Sequence, residues 1–316
     1  MNNEEILSKF FRPIIESTPS RFGTTKYPEI VRYFNKTPPT IVCPHFWELN
    51  WGYGCWFNCS YCYLQGTFRG KTEPRHLPLK HIIPVLNEAF SKIEKPSVFN
   101  SGELTDSFAY PSIMEKIIDE FEKQNKHKLL LLTKSSNVGF LIQKPKKQII
   151  VSFSINAPIA SKRWERKTAP PEMRIQSAKK VSEIGYETRI RIDPIFPIPN
   201  WRKKYGNLIE YLLSKLTPER ITLGTPRGLA KTLMFSKDLS WAKFFDEYSE
   251  KSGWGKKINP SLRKEIYLFF FDKLSELGFN KSKIALCKEN FDLWKDLELD
   301  PGKYPDWKNC KCNCVV

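Results

Sequence analysis

Apolar positions along this chain change period again and again, and the changes mark strands alternating with helices. Residues 45–53 (HFWELNWGY) read as a first strand. Apolar residues from Pro78 to Lys92 recur at helical spacing, with Pro84 marking a late start or a kink. Ser97–Asn100 is a short strand, and Ile113, Met114, Ile117, Ile118 and Phe121 again keep helical spacing. Lys128–Thr133 (KLLLLT) and Gln148–Ile155 (QIIVSFSI) are buried strands. A helix from Pro170-Pro171 to Gly185 has a proline start and a glycine stop. Glu187–Ile192 (ETRIRI) alternates with period two, Asn207–Leu216 is helical, and Arg220–Leu223 is a sixth strand. Six strands with intervening helices imply an α/β fold with a parallel sheet and right-handed crossovers. Nothing closes eight repeats, so the expected architecture is a partial (β/α)6-type parallel barrel. Residues 229–257 are irregular and aromatic, Pro260–Leu277 is a long helix, and Lys283–Cys287 (KIALC) is a short strand. The predicted division is an N-terminal extension (1–44), a barrel core (45–228) and a C-terminal helical and irregular extension (229–316).

Composition refines this picture. The chain has 316 residues, 41% hydrophobic and 14% aromatic, enough for a sizeable core. Its formal charge of +17 biases it towards polyanions such as nucleic acid. Residues Met1–Lys9 lack the pattern of a secretory signal, and no run of about eighteen apolar residues would span a membrane. The eight cysteines cluster as metal ligands do rather than as a disulfide framework. Together these features predict a cytoplasmic, reducing location without a membrane partner.

The densest chemistry lies in Cys55-Trp-Phe-Asn-Cys59-Ser-Tyr-Cys62. Three thiolates at this spacing can ligate three irons of a four-iron–four-sulfur (4Fe–4S) cube from one loop. The fourth iron then has no protein ligand and can chelate the amino and carboxylate groups of S-adenosylmethionine (SAM). A zinc site would ordinarily pair two Cys-x2–4-Cys units, and no second pair lies nearby.

This loop resembles that of the radical SAM superfamily, and more of the chain resembles its spore photoproduct lyase branch. The loop continues as Tyr61-Cys62-Tyr63-Leu64-Gln65. Further similar segments, in the same order, are Gly102–Ser107 (GELTDS), Thr133-Lys134, Ser152–Asn156 (SFSIN), Glu165–Ala169 (ERKTA) and Leu223–Gly228 (LGTPRG). The resemblance implies that Gly102 and Glu103 bind the SAM amino group, and that Lys134 pairs with its carboxylate. It also implies that Ser154 and Asn156 bond the ribose or carboxylate. Arg191, with Arg189 and Asp193 in or at the end of the fifth strand, faces SAM, a substrate phosphate or acidic neighbours. Tyr61 and Tyr63 match the branch's radical-relay tyrosines. A one-electron donor such as flavodoxin or ferredoxin is the implied redox partner. One departure stands out: the branch carries a hydrogen-donor cysteine near the end of the second strand. Val98–Phe108 contains no cysteine, and Glu103 occupies that ground.

Four further cysteines remain. Cys43 reads as a buried thiol, and Cys287 ends the KIALC strand. Cys310, Cys312 and Cys314 crowd the last seven residues. With Cys287 they can hold an auxiliary iron–sulfur cluster or zinc, act as a redox thiol, or form a frayed tail. The four histidines are scattered and read as surface or core residues. Basic clusters at Arg69–Lys71, Lys144–Lys147, Lys162–Lys167, Arg202–Lys204 and Lys251–Lys257 are interleaved with Phe68, Trp164, Trp201 and Trp254. Such mixing suits phosphate contact with base stacking, and also ordinary helix ends. The expected function is SAM cleavage to a 5′-deoxyadenosyl radical acting on a nucleic-acid base or nucleotide. The alternatives are maturation of a peptide or small metabolite with a tail-bound cluster, and a non-enzymatic structural or sensing cluster.

Overall fold

The computed structural model describes residues 18–143 and 145–316. The reading of Met1–Lys9, and that of Lys144 within its basic cluster, lie outside the described residues. Nine strands form one sheet in chain order: β1 (Arg21–Phe22), β2 (Val31–Phe34), β3 (Phe46–Leu49), β4 (Val98–Asn100), β5 (Lys128–Thr133), β6 (Ile149–Ser154), β7 (Glu187–Ile192), β8 (Arg220–Leu223) and β9 (Ile284–Leu286). β1, β2 and β3 pair antiparallel; every step from β3 to β9 is parallel. The KIALC segment therefore supplies a seventh parallel strand beyond the six expected of the core. The sheet runs across both predicted boundaries, since β1 and β2 precede residue 45 and β9 follows residue 228.

Helices fill the crossovers: α1 (Leu64–Thr67), α2 (Leu79–Lys92), α3 (Pro111–Phe121), α4 (Pro158–Trp164), α5 (Pro171–Ile184), α6 (Trp201–Lys215), α7 (Ala230–Phe235) and α8 (Pro260–Glu276). Pro84 lies within α2 without ending it. Gly185 caps α5 in the left-handed conformation at φ 106°, which glycine adopts without steric cost. Residues 229–257 are less irregular than expected. They contain α7, and the strands Glu250–Ser252 and Gly255–Lys257 join Arg227–Gly228 in a separate three-stranded sheet.

The two faces of the parallel sheet differ because side chains alternate along each strand. In β7, Ile190 and Ile192 join the core while Arg189 and Arg191 take the other face. Register sets Arg189 beside Ser152 and Arg220, and Arg191 beside Ser154 and Thr222. This polar face is where the C-terminal tail lies. Asn313 is fully buried. Its Nδ2 donates to Ser152 Oγ at 2.7 Å and to the Ile190 carbonyl at 3.0 Å, and its Oδ1 accepts from Thr222 Oγ1 at 2.8 Å. Arg189 Nη1 donates to the carbonyls of Asn313 and Val315 at 2.9 and 2.6 Å. Buried hydrogen bonds contribute about 1 kcal/mol each, so the tail is held by several kcal/mol. The frayed-tail reading is thereby overturned: Cys310, Cys312 and Cys314 are all buried.

Candidate active site

The cysteine loop runs between β3 and α1 and turns sharply at Asn58, whose φ is 48°. Asparagine tolerates this left-handed conformation better than most residues. Its side-chain oxygen accepts from Thr72 Oγ1 at 3.1 Å and from Gln65 Nε2. Backbone bonds from Cys55 to the Thr72 carbonyl (2.8 Å) and from Cys62 to the Cys59 carbonyl (3.1 Å) complete the loop. Gly66 lets α1 rest directly on α7: a Cβ there would lie 2.6 Å from the backbone of Lys231.

Cys55, Cys59 and Cys62 all line a cavity of about 640 Å³. Its wall is built from the carboxyl ends of the strands, where ligands gather in parallel α/β folds. Gly102, Glu103, Lys134, Ser154, Arg191, Tyr61 and Tyr63 line the same cavity, so most of the sequence-derived candidates converge there. Gly102 permits a close turn, because a Cβ would stand 2.6 Å from Leu132 Cβ. Burial pushes Cys55 up to about 12 and Cys59 well above the usual thiol range, so metal ligation there must release protons. A set of three loop thiols, with the rest of the cavity open to a ligand, fits a cube that leaves one iron for SAM. Among the described residues, no three histidine, cysteine or acidic side chains converge closely enough to enclose a single metal ion.

Asn156 does not behave as expected of a SAM ligand. It is fully buried, and its Nδ2 donates to the Pro194 carbonyl at 3.0 Å. Its Oδ1 accepts from Tyr205 Oη at 2.7 Å and from the Ala157 amide at 2.9 Å. The strand-end geometry that made it a candidate instead uses it to brace the loop after β7.

Lys134 is also committed within the protein, at 3.1 Å from Glu165. Glu165 is the central residue that the sequence reading missed, although it lies in the ERKTA segment. Its side chain is fully buried, pairs with Arg174 at 2.7 Å and accepts from Tyr61 Oη. Burial alone would raise its pKa, but Lys134 and Arg174, helped by the Tyr61 hydroxyl, hold it down at about 2. Tyr61 is thus oriented by a carboxylate that is ionised at neutral pH, beside the cysteine loop. Tyr63, by contrast, is half-exposed and donates to the Glu103 carbonyl, with Glu103 Oε2 at 3.1 Å. Across the cavity, burial, with the nearby Glu103 adding to it, pushes Glu48 up to about 7 despite its pairing with Arg32.

Glu165→Gln should cost about 3–5 kcal/mol, because it strands two buried cations. The carboxyl's pKa is depressed from 4.5 to about 2. Its stabilisation is therefore complete above pH 4.5 and is lost as pH falls towards 2. Urea denaturation across this acid range should show a steep loss in the native protein and a shallower one in Glu165→Gln. Equal slopes would contradict the assignment.

A parallel sheet whose strand ends meet a Cys-x3-Cys-x2-Cys loop defines the chain as a radical SAM enzyme. The family model for spore photoproduct lyase matches residues 46–224. The chain belongs to the spore photoproduct lyase family. It is 28% identical over 253 residues to a spore photoproduct lyase of Clostridium acetobutylicum, covering 73% of each chain. A Geobacillus spore photoproduct lyase is 25% identical over 175 residues, 52% of this chain and 50% of the relative. Among solved structures, spore photoproduct lyase complexed with dinucleoside spore photoproduct superposes with a TM-score of 0.65 at 18% identity, covering 80% of this chain and 78% of that one. The Streptococcus suis protein SuiB bound to SAM shares the fold more distantly, with a TM-score of 0.52 at 16% identity, covering 82% of this chain and 52% of that one.

Proposed function

We propose that Cys55, Cys59 and Cys62 hold a 4Fe–4S cluster that binds SAM, and that the enzyme acts on a nucleic-acid base or nucleotide. The observation that carries this reading is the shared cavity, in which the three loop thiols face Gly102, Glu103, Lys134, Ser154 and Arg191. When bound, the cluster supplies reductive cleavage of SAM to a 5′-deoxyadenosyl radical, with its electron drawn from a flavodoxin- or ferredoxin-like donor. Glu103 offers a carboxylate and a backbone carbonyl for an ammonium group. Arg191 and Ser154 lie side by side in register and suit a carboxylate or ribose. Lys134 reaches an incoming carboxylate only by sharing itself with Glu165. Tyr61 and Tyr63 flank the last loop cysteine and line the cavity.

Charge supports a nucleic-acid substrate. The whole chain has a formal charge of +17, whereas the cavity wall sets Arg32, Lys134, Arg191, Arg227 and Lys288 against Glu29, Glu48, Glu103, Asp106 and Asp193, so the attraction to a polyanion belongs to the chain as a whole rather than to the cavity. A solved relative of the same fold is described with dinucleoside spore photoproduct bound. Fluorescence anisotropy with a labelled oligodeoxynucleotide tests the substrate class. Binding should weaken steeply between 50 and 200 mM salt, by roughly tenfold or more. A neutral peptide probe should show no such slope. Salt-independent or absent oligonucleotide binding would favour the peptide or metabolite alternative.

A further inference from the structure

We infer that Cys43, Cys287, Cys312 and Cys314 hold a second iron–sulfur cluster in the wall of the same cavity. Seven of the chain's eight cysteines line that cavity, and these four are the ones outside the SAM loop. The sequence grouped Cys287 with Cys310, Cys312 and Cys314; the fold brings in Cys43 and leaves Cys310 behind Cys312, off the cavity wall.

Three separate segments meet here for identifiable reasons. Ile41–Val42 pairs antiparallel with Glu289–Asn290, Val42 opposite Glu289, which brings Cys43 towards Cys287 at the end of β9. The buried Asn313, bonded to β6, β7 and β8, fixes Cys312 and Cys314 on either side of itself. Cys43 then has Cys287 and Cys314 as electrostatic neighbours, and Cys312 has Cys310, Cys314 and Cys43, of which Cys310 alone lies off the cavity wall.

The surroundings favour an anion made of these sulfurs. Arg191 Nη2 stands 3.3 Å from Cys314 Sγ, and Asn100 Nδ2 stands 3.8 Å from it. Arg227 Nη1 donates to the Cys287 carbonyl at 3.0 Å, and Lys288 faces both Cys43 and Cys287. Asp193 must serve both arginines, at 2.7 Å from Arg227 and 3.8 Å from Arg191, and Glu103 is the carboxylate near Lys288. Three cations thus meet two carboxylates around the thiols. A cluster ligated by four thiolates is anionic and draws stabilisation from hydrogen bonds to its sulfurs. A cube gives each thiolate its own iron, so its ligands stand apart, whereas zinc requires them to converge on one point. Among the described residues no three such side chains enclose a single ion, although Cys312 is in hydrogen-bond contact with both Cys310 and Cys314, so a cube requires the tail thiols to spread on binding. With all four irons ligated by protein, this cluster would exchange electrons at the cavity wall rather than bind SAM.

The inference deepens the proposed function but can be tested apart from it. The full chain would be reconstituted anaerobically with ferrous iron and sulfide. The unaltered protein should take up about eight irons, and the triple variant Cys55→Ala/Cys59→Ala/Cys62→Ala about four. After dithionite reduction, the triple variant should retain an electron paramagnetic resonance signal that SAM does not change. Adding Cys287→Ser and Cys314→Ser to it should remove that iron, with circular dichroism confirming that the chain stays folded. An iron-free triple variant beside an unaltered protein holding about four irons would overturn the inference. Zinc in place of the second set of irons would overturn it as well. If instead the triple variant loses no iron and Cys287→Ser/Cys314→Ser loses all of it, the loop assignment fails and the second cluster stands.

Discussion

Replacing Cys55, Cys59 or Cys62 by alanine should each reduce SAM cleavage by dithionite-treated enzyme to the level of a protein-free control. The expected loss is complete because, on the proposed assignment, each thiolate would hold one iron, and a cube missing a ligand would no longer present its open iron to SAM. Packing does not explain such a loss. Cys55 and Cys62 are only partly buried, and their removal leaves the β3–α1 loop with its backbone bonds and the Asn58 turn. Chromatographic detection of 5′-deoxyadenosine is the measurement. Any single variant that retains the unaltered rate would remove that cysteine from the ligand set. Tyr61→Phe makes a useful contrast, since it leaves the thiols in place and should preserve SAM cleavage.

Dinucleoside spore photoproduct, offered as substrate, should yield little intact dithymidine even while SAM is consumed. The resemblance leads one to expect a thiol near the end of β4, where it would return a hydrogen atom to the product radical. The structure gives Asn100, Ser101, Gly102, Glu103, Leu104, Thr105 and Asp106 there. Asn100 Nδ2 bonds Glu103 Oε1 at 2.7 Å, and Asp106 is spent on Thr133 and the Lys134 amide. None of these groups has an X–H bond as weak as a thiol's. The tail thiol near this ground, Cys314, is engaged with Arg191 and, on the inference above, with iron. Product analysis by mass spectrometry should show SAM cleavage with most of the photoproduct diverted or unchanged. Clean, catalytic formation of dithymidine would contradict this and point to a donor thiol from elsewhere, with Cys310, Cys312 and Cys314 to be replaced singly, Cys314 first.

Much of the site was legible because its chemistry is local. The thiol spacing, the GELTDS turn and the strand ends of KLLLLT and QIIVSFSI are each contained in a few residues, and each lines the cavity or leads into it. Pro-start and Gly-stop signals gave α5 to within a residue. What escaped depends on long-range pairing. Glu165 meets Tyr61 across 104 residues and Asn313 meets Ser152 across 161, so no local pattern announces either contact. Arg189 and Arg191 were recognised as arginines needing partners, and the acidic neighbours Glu187 and Asp193 are among them; the tail carbonyls and tail thiol that complete their shells lie far along the chain and could not be read locally. Asn156 misled for the converse reason: a polar residue at a strand end has the position of a ligand, yet its side chain serves the Pro194 turn and Tyr205.

The central claim is that the Cys55–Cys62 loop carries a cluster with one iron open to SAM. Electron paramagnetic resonance of the anaerobically reconstituted, dithionite-reduced protein tests it most directly, with SAM isotopically labelled at its amino nitrogen or carboxylate oxygen. The account predicts that SAM shifts the cluster's g-values and that the label appears as a hyperfine coupling to iron. It also predicts that both effects vanish in Cys59→Ala. A reduced cluster whose spectrum is the same with and without SAM would contradict it.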